Sequence, residues 1–424
     1  MKQNKPFIAG AVAALLTLGA CGATWAGPAP GATLEGLLAL ARERNPEYAG
    51  MRQEAQAASE RIEAAGNLPD PRLRVELMDI TKMGEQSPSL SPSNVGSTRY
   101  TFMQDVPWFG KRDLKRDIAT QEAQGANGRA LGTWAELSSR IKSGYAQFYY
   151  LHQSERLTKE ILDLMSRLEQ VAQARYAGGL AAQQDVIRAQ VEQSNMKNEL
   201  IALENEQRMV QARLNTLLAR PPNAPLLPAQ QWRPLPSASQ MDYGVLQGRL
   251  RERNPQLFAQ DAQLRAAQTN RELAYKNRYP DFTLGIFPTQ YGSTWKDWSL
   301  MLELNIPLQQ SSRRSQEREA EAMLAAAESR KEATVNQVLS ELAENLAGFE
   351  AARRTEMTTT SSLLPQAELT SQSALASYET GKVDFATLLD AQRQIRQAKQ
   401  NRIKAQFEAQ SRLAEIEKLI GEDL

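Results

Sequence analysis

The sequence predicts a mainly α-helical protein that also carries a membrane β-barrel, with four strands per protomer and twelve in a closed trimer. Three observations predict it: an internal duplication, long helical stretches almost free of proline, and an alternating strand pair at the same point of each copy.

The composition sets the frame. The chain has 424 residues, net charge +1, 42% hydrophobic and 23% charged residues, which excludes a disordered chain and gives no basic surplus for nucleic acid. Aromatics are only 6%, and the Ala, Gln, Glu, Arg and Leu richness suits long helices packed through small residues. Lys2 and Lys5 precede an apolar run from Phe7 to Leu18, the pattern of a secretory signal peptide over residues 1–20. The only cysteine, Cys21, follows Leu18-Gly19-Ala20 and resembles the lipobox of bacterial lipoproteins, whose cysteine is acylated; cleavage after Ala26 is the alternative. Gly22, in place of an aspartate that retains lipoproteins in the inner membrane, points to outer-membrane sorting. No later stretch reaches about 18 consecutive apolar residues, so a passage through lipid has to be made by strands.

Duplication is the strongest signal. Arg42-Glu43-Arg44-Asn45-Pro46 recurs as Arg251-Glu252-Arg253-Asn254-Pro255, a shift of 209, and Pro71 matches Pro280. Val106-Pro107 recurs as Ile306-Pro307, and Tyr176, Gly179, Ala189 and Gln190 recur as Tyr378, Gly381, Ala391 and Gln392. The copies span 21–240 and 241–424, joined by a proline-rich connector from Pro221 to Pro236.

Each copy reads as a short helix, a second helix, two strands, a very long helix, a turn and a returning helix. Asn45 and Asn254 are set to cap the second helix, with Pro46 and Pro255 at its first position, where no N–H is needed. Strands follow at about 72–80 and 98–106, and at about 281–288 and 297–306, with apolar and polar residues alternating. Gln104 breaks one apolar row, and Ser87 to Asn94 reads as an exposed polar loop. Leu157, Ile161, Leu164, Leu168 and Val171 then face Val186, Ala189, Met196, Leu200, Leu203, Val210, Leu214 and Leu217 as an antiparallel coiled coil. Its tip lies at about 176–183, and that of the second copy at about 378–385, with a less regular seam through Leu388, Ile395, Ile403, Phe407, Leu413, Ile416 and Ile420. Only Pro365 interrupts the long helix of the second copy.

Four strands alone would leave unpaired edges in lipid, so the chain has to oligomerise; eight strands fill their own interior, whereas twelve leave a lumen. The duplicated plan, Pro107-Trp108-Phe109-Gly110-Lys111-Arg112, Leu363-Leu364-Pro365-Gln366-Ala367-Glu368 and the Tyr-x-x-Gly turns followed by Ala-Gln resemble the TolC family of outer-membrane efflux proteins. The segment 107–112 is similar to the heavy-metal branch typified by CzcC and CusC. The resemblance implies a homotrimer in outer-membrane lipid whose helical tunnel meets a periplasmic adaptor protein and an inner-membrane efflux pump. It implies adaptor docking at the tips, Gly178, Gly179, Leu180, Gly381, Lys382 and Val383, and a periplasmic gate of acidic residues, for which Asp185 and Asp390 are the candidates. Thr387 occupies the companion acidic position of the second copy and Arg188 aligns with Asp390. The other reading of both aspartates is a solvated helix charge favoured by the dipole.

An enzyme is disfavoured. His152, the only histidine, sits among Tyr149, Tyr150 and Leu151 as a packing residue, and no Cys or His set is spaced for a metal or cofactor. The twelve methionines are dispersed at packing positions. The competing class is a lipidated periplasmic adaptor or scaffold with coiled-coil hairpins; within the channel class, drug efflux and type I secretion compete with metal efflux.

Overall fold

A computed structural model describes residues 31, 33–228 and 231–424; Cys21 and the signal peptide lie outside the described residues. The chain runs α1 (Leu34–Arg44), α2 (Pro46–Gly66), β1 (Arg72–Met78), β2 (Ser97–Val106), α3 (Lys111–Ala177) and α4 (Gln183–Leu217). The order then recurs as α5 (Tyr243–Arg253), α6 (Pro255–Lys276), β3 (Asp281–Tyr291), β4 (Thr294–Asn305), α7 (Gln310–Thr358), a π-helical turn (Thr359–Leu363), α8 (Leu364–Glu379) and α9 (Phe385–Ile420).

The Asn-Pro pairs explain how each copy starts. Asn45 Oδ1 accepts from the Tyr48 N–H at 3.0 Å while its Nδ2 donates to the Leu217 carbonyl at 2.9 Å. Asn254 repeats the arrangement with Leu257 N–H and the Leu419 carbonyl, both at 2.8 Å. One buried amide thus satisfies an orphan donor at the start of α2 or α6 and a carbonyl at the end of the returning helix of the same copy.

Helix α3 is unbroken over 67 residues, about 100 Å. Such length is stabilised by packing rather than propensity, and α3 touches α2, α4, α6 and α9 along its course. In the second copy Pro365 cannot donate to the turn before it, and the ladder is widened there by the π-helical turn before α8 continues. Between the strands and the middle of the molecule α2, α3, α6 and α7 lie side by side in that order. Toward the turns, α3, α4, α8 and α9 enclose a core that includes Leu157, Ile161, Leu168, Met196, Phe385 and Leu388. The expected seam needs one correction. Met165 and Ala172 are the buried positions, Leu164 is half-buried and Val171 is exposed, so the stripe steps by four, four, three and four through 157, 161, 165, 168 and 172.

The strands form one antiparallel sheet in the order β1-β2-β3-β4, so the two copies are joined by the β2–β3 pairing. Strand β1 ends at Met78, not near 80, while β3 runs on to Tyr291 and β4 begins at Thr294, past the expected 288 and 297. The apparent stop at Pro288 is real on one side only. Its missing N–H coincides with the gap in the β2–β3 ladder at Tyr100 and Thr101, while Pro288 stays paired with Trp298 of β4.

Candidate functional site

The sheet separates its two faces completely enough to define an inside and an outside. Leu73, Phe102, Ile286 and Leu300 are directly opposite one another across all four strands. Gln104, Leu284 and Leu302 form the next row, and Val106, Phe282 and Leu304 the one after. These side chains are not covered: Leu300 is 84%, Trp298 72% and Leu73 69% exposed. An apolar sheet face this open is stable against hydrocarbon, not water. Gln104 turns its amide to the Pro69 carbonyl at 2.7 Å, which removes the interruption from the apolar surface. The opposite face is mainly polar, with Glu76 facing Arg99 and Asp105 facing Thr283, which faces Glu303 in turn; Met103, Phe287 and Met301 gather around Gly285 as its apolar exception. Asp105 also binds Arg72 at 2.9 Å and the Thr283 hydroxyl at 2.7 Å. A soluble adaptor would bury the first face, so this geometry disfavours the scaffold reading.

At the root of the sheet the segment 107–112 bolts the copies together. Asp281 accepts from the Trp108 N–H and from Lys111 Nζ, both at 2.8 Å, and Lys111, itself buried, also donates to the Tyr279 carbonyl at 2.9 Å. The Trp108 ring stacks on Tyr279 and Phe282 with centroids 5.2 and 5.3 Å away. Gly110 takes a positive φ of 78°, and a Cβ there would collide with Lys276 Nζ. Arg112 Nε closes the end of α2 by donating to the Gly66 carbonyl at 2.9 Å. Sequence reading used this segment only as a resemblance; its partner, Asp281, is 170 residues away and has no local signature.

The far end is formed by the turns at 178–182 and 380–384. Gly179 and Gly381 both have positive φ, 73° and 74°. Gly178, Gly179, Leu180, Gly381 and Lys382 are exposed, whereas Val383 is half-buried against the coiled-coil core. Arg175 joins the two turns: its Nη1 donates to the Glu379 carbonyl at 2.8 Å and its guanidinium lies over the Tyr378 ring at 4.9 Å.

The two gate candidates occupy different surroundings. Asp185 is half-buried in the first turn of α4. Burial raises its pKa above the ordinary aspartate value and Asp384 adds to the rise, with Arg188 and Arg175 pulling the other way. Asp390 is exposed on α9 and lies 3.5 Å from Arg393, which also reaches the buried Glu192 of α4 at 2.9 Å. The structure thus couples Asp185 to Asp384 rather than to Asp390. Asp384 escaped the sequence reading, although Asp-x-x-Thr after a glycine turn is a capping pattern. It caps α9, accepting from Thr387 N at 3.0 Å and Oγ1 at 2.6 Å, and these bonds hold its pKa below the usual range. Lys382 has no carboxylate within ion-pair reach among the described residues.

His152 bonds the Phe148 carbonyl at 2.8 Å and packs edge-on against that ring. Among the described residues no group of three or more His, Cys, Asp or Glu could hold a metal, and no helix is long and apolar enough to cross a membrane.

Known proteins share this plan. The chain is 24% identical over 378 residues to the cobalt-zinc-cadmium resistance protein CzcC of Cupriavidus metallidurans, covering 87% of this chain and 84% of that one. Its fold matches the outer membrane protein VceC of Vibrio cholerae with a TM-score of 0.78 at 19% identity, covering 92% of this chain and 96% of that one. It matches CusC with a TM-score of 0.76 at 17% identity, covering 92% of each chain. The model of the outer membrane efflux protein family matches twice, at residues 37–220 and 246–422, once for each structural copy. The two matches fall on the two copies that join their strands into one sheet, and the chain belongs to the outer membrane efflux proteins.

Proposed function

We propose that three copies of this chain close a twelve-stranded barrel and form the passive exit duct of a tripartite efflux pump. The observation that carries the reading is the sheet: an exposed apolar face together with two open edges, β1 and β4, which lipid does not tolerate unpaired. The helices continue the duct into the periplasm, where the exposed turns dock a periplasmic adaptor protein and, through it, an inner-membrane pump. Asp185 and Asp390 are the candidate rings of the gate, with Asp384 as a third carboxylate that keeps its charge beside Asp185. Cargo of the heavy-metal kind is supported by the likeness of segment 107–112 to that branch and by the similarity to CzcC. Cys21 is the proposed lipid anchor.

Detergent-extracted protein is expected to migrate as a trimer that dissociates on heating and to conduct in planar bilayers; a monomer released by salt, without conductance, would overturn the reading. Cys21→Ser is expected to abolish lipid labelling while leaving trimer assembly in place, because the strands supply insertion; unchanged labelling would remove Cys21 as the anchor.

A further inference from the structure

The four helices below the sheet border an open hollow of about 930 Å³ to which α2, α3, α6 and α7 all contribute. A single hollow can touch four neighbouring helices only on the concave side of their layer, and in a closed trimer that side is the tunnel wall. Its floor is made of small residues, Gly125, Ala266 and Ala320 among them, which lets the layer curve inward. Its rim is basic. Arg61 of α2, Arg129 of α3, and Arg313 and Arg330 of α7 face Glu122 and Glu319, leaving two net positive charges per protomer and six around the ring.

These arginines differ from those on the opposite face of the same helices. There Lys331 pairs with Asp261 at 2.6 Å, and Arg265 bonds Gln121 at 2.8 Å. Arg61, Arg129 and Arg330 are exposed and have no carboxylate within ion-pair distance among the described residues; Arg313 reaches only the amide of Gln316, at 3.4 Å. A guanidinium is always charged and presents a fork of donors suited to carboxylate and phosphate. One sign of charge on a low-dielectric wall also concentrates the opposite ion beside it.

We propose that this belt makes the upper tunnel attract anions, so that carboxylate- and phosphate-bearing solutes pass it in preference to free cations. The inference rests on the trimeric-duct reading. A divalent metal would cross this stretch more readily as an anionic complex than as the hydrated ion. The gate candidates at the turns lie at the other end of the helices, where Asp185 and Asp390 have Arg188 and Arg393 beside them.

The test uses the purified trimer in planar bilayers under a KCl gradient at low salt, where screening is weakest. Substituting all four arginines by Gln is expected to lower the anion-to-cation permeability ratio at least about twofold, and substitution by Lys to preserve it. Inorganic tripolyphosphate added on the extracellular side is expected to block the parent and the Lys variant but not the Gln variant. Arg61, Arg129 and Arg330 are exposed and Arg313 is half-buried, and the pair Arg129→Gln with Arg330→Gln gives a milder form of the same test. A trimer that conducts with the same ratio and the same tripolyphosphate response in every variant would overturn the belt and leave the duct standing. A parent that forms no trimer and no channel would overturn both.

Discussion

The two copies are alike where their second helices begin and unlike where their long helices turn. At those helix starts Asn45 and Asn254, each in the same Arg-Glu-Arg-Asn-Pro run, make the same pair of bonds to within 0.2 Å. At the turns, the glycines are equivalent but the carboxylates are not. In the first copy α4 starts at Ala182 without a side-chain cap and carries its acid, Asp185, at the third helical position. In the second, the acid has moved back to the cap itself, Asp384, and Thr387 stands where Asp185 would be. Backbone conformation is demanded twice by the same geometry and therefore repeats, whereas the charge at each turn faces a different neighbour and is free to diverge.

The largest expected effect tests whether the copies share one lipid face. Val75→Arg and Leu302→Arg should each cost about 2–4 kcal/mol if their rows lie near the bilayer midplane, read as loss of folded protein in denaturant titrations in vesicles. Glu76→Arg and Glu303→Arg, on the inner face, should be far milder. A large loss in one copy and none in the other would break the equivalence of the strand pairs.

Next come the caps. Asn45→Ala and Asn254→Ala should each destabilise by about 1–2 kcal/mol, because each removes a cap and leaves a helix-end carbonyl unpaired. Unequal losses in thermal unfolding would show that the matching bonds carry unequal weight.

The turns should respond differently. Asp384→Ala removes both bonds to Thr387 and should speed amide exchange in the first turn of α9; Asp185→Ala removes no cap and should leave α4 unchanged. Equal acceleration in both would contradict the assignment of the cap to the second copy alone.

The smallest effect concerns charge at the gate. Asp185→Ala with Asp390→Ala should weaken cation block and raise single-channel conductance, since charge and bulk leave the constriction together. In the parent, Asp185 has a raised pKa, so its protonated form fits the folded tip better. Its contribution to tip stability is therefore full below the ordinary aspartate value and is lost as pH rises through the raised one. Cation block should accordingly begin to fade, on acidification, above the range of a free aspartate. An Asp185→Asn channel with the same pH dependence as the parent would assign the titration elsewhere.

Much of this was legible in the residues because it is local. Asn-Pro announces a cap, Tyr-x-x-Gly a reversal, and the alternation in Leu300, Leu302 and Leu304 a strand with one apolar face. What escaped depends on partners far along the chain. Pro288 reads as a strand end, and only the neighbouring strand shows that it breaks one ladder and not the other. Val171 fits the heptad count as well as Ala172, and the choice between them is made by the helices α4 and α9 packing on that side. The Lys111–Asp281 bond joins the copies and is invisible to a reading of either one. Asp384 is different, because its capping pattern with Thr387 is local and stands in the residues themselves.

The strand lengths carry a consequence for assembly. The sheet ends in β1, seven residues long, and β4, twelve residues long, so in the proposed trimer every seam would join the shortest strand to the longest. At most seven residues of β4 can be zipped at a seam, while the β3–β4 hairpin inside a protomer pairs along its whole length. The proposed barrel would therefore be three strong staves held by three short closures. Its assembly should be all or none, since a pair of protomers would still expose one long and one short edge to hydrocarbon. The five residues of each β4 left without a partner strand would lie at the seam, on the edge contributed by the second copy.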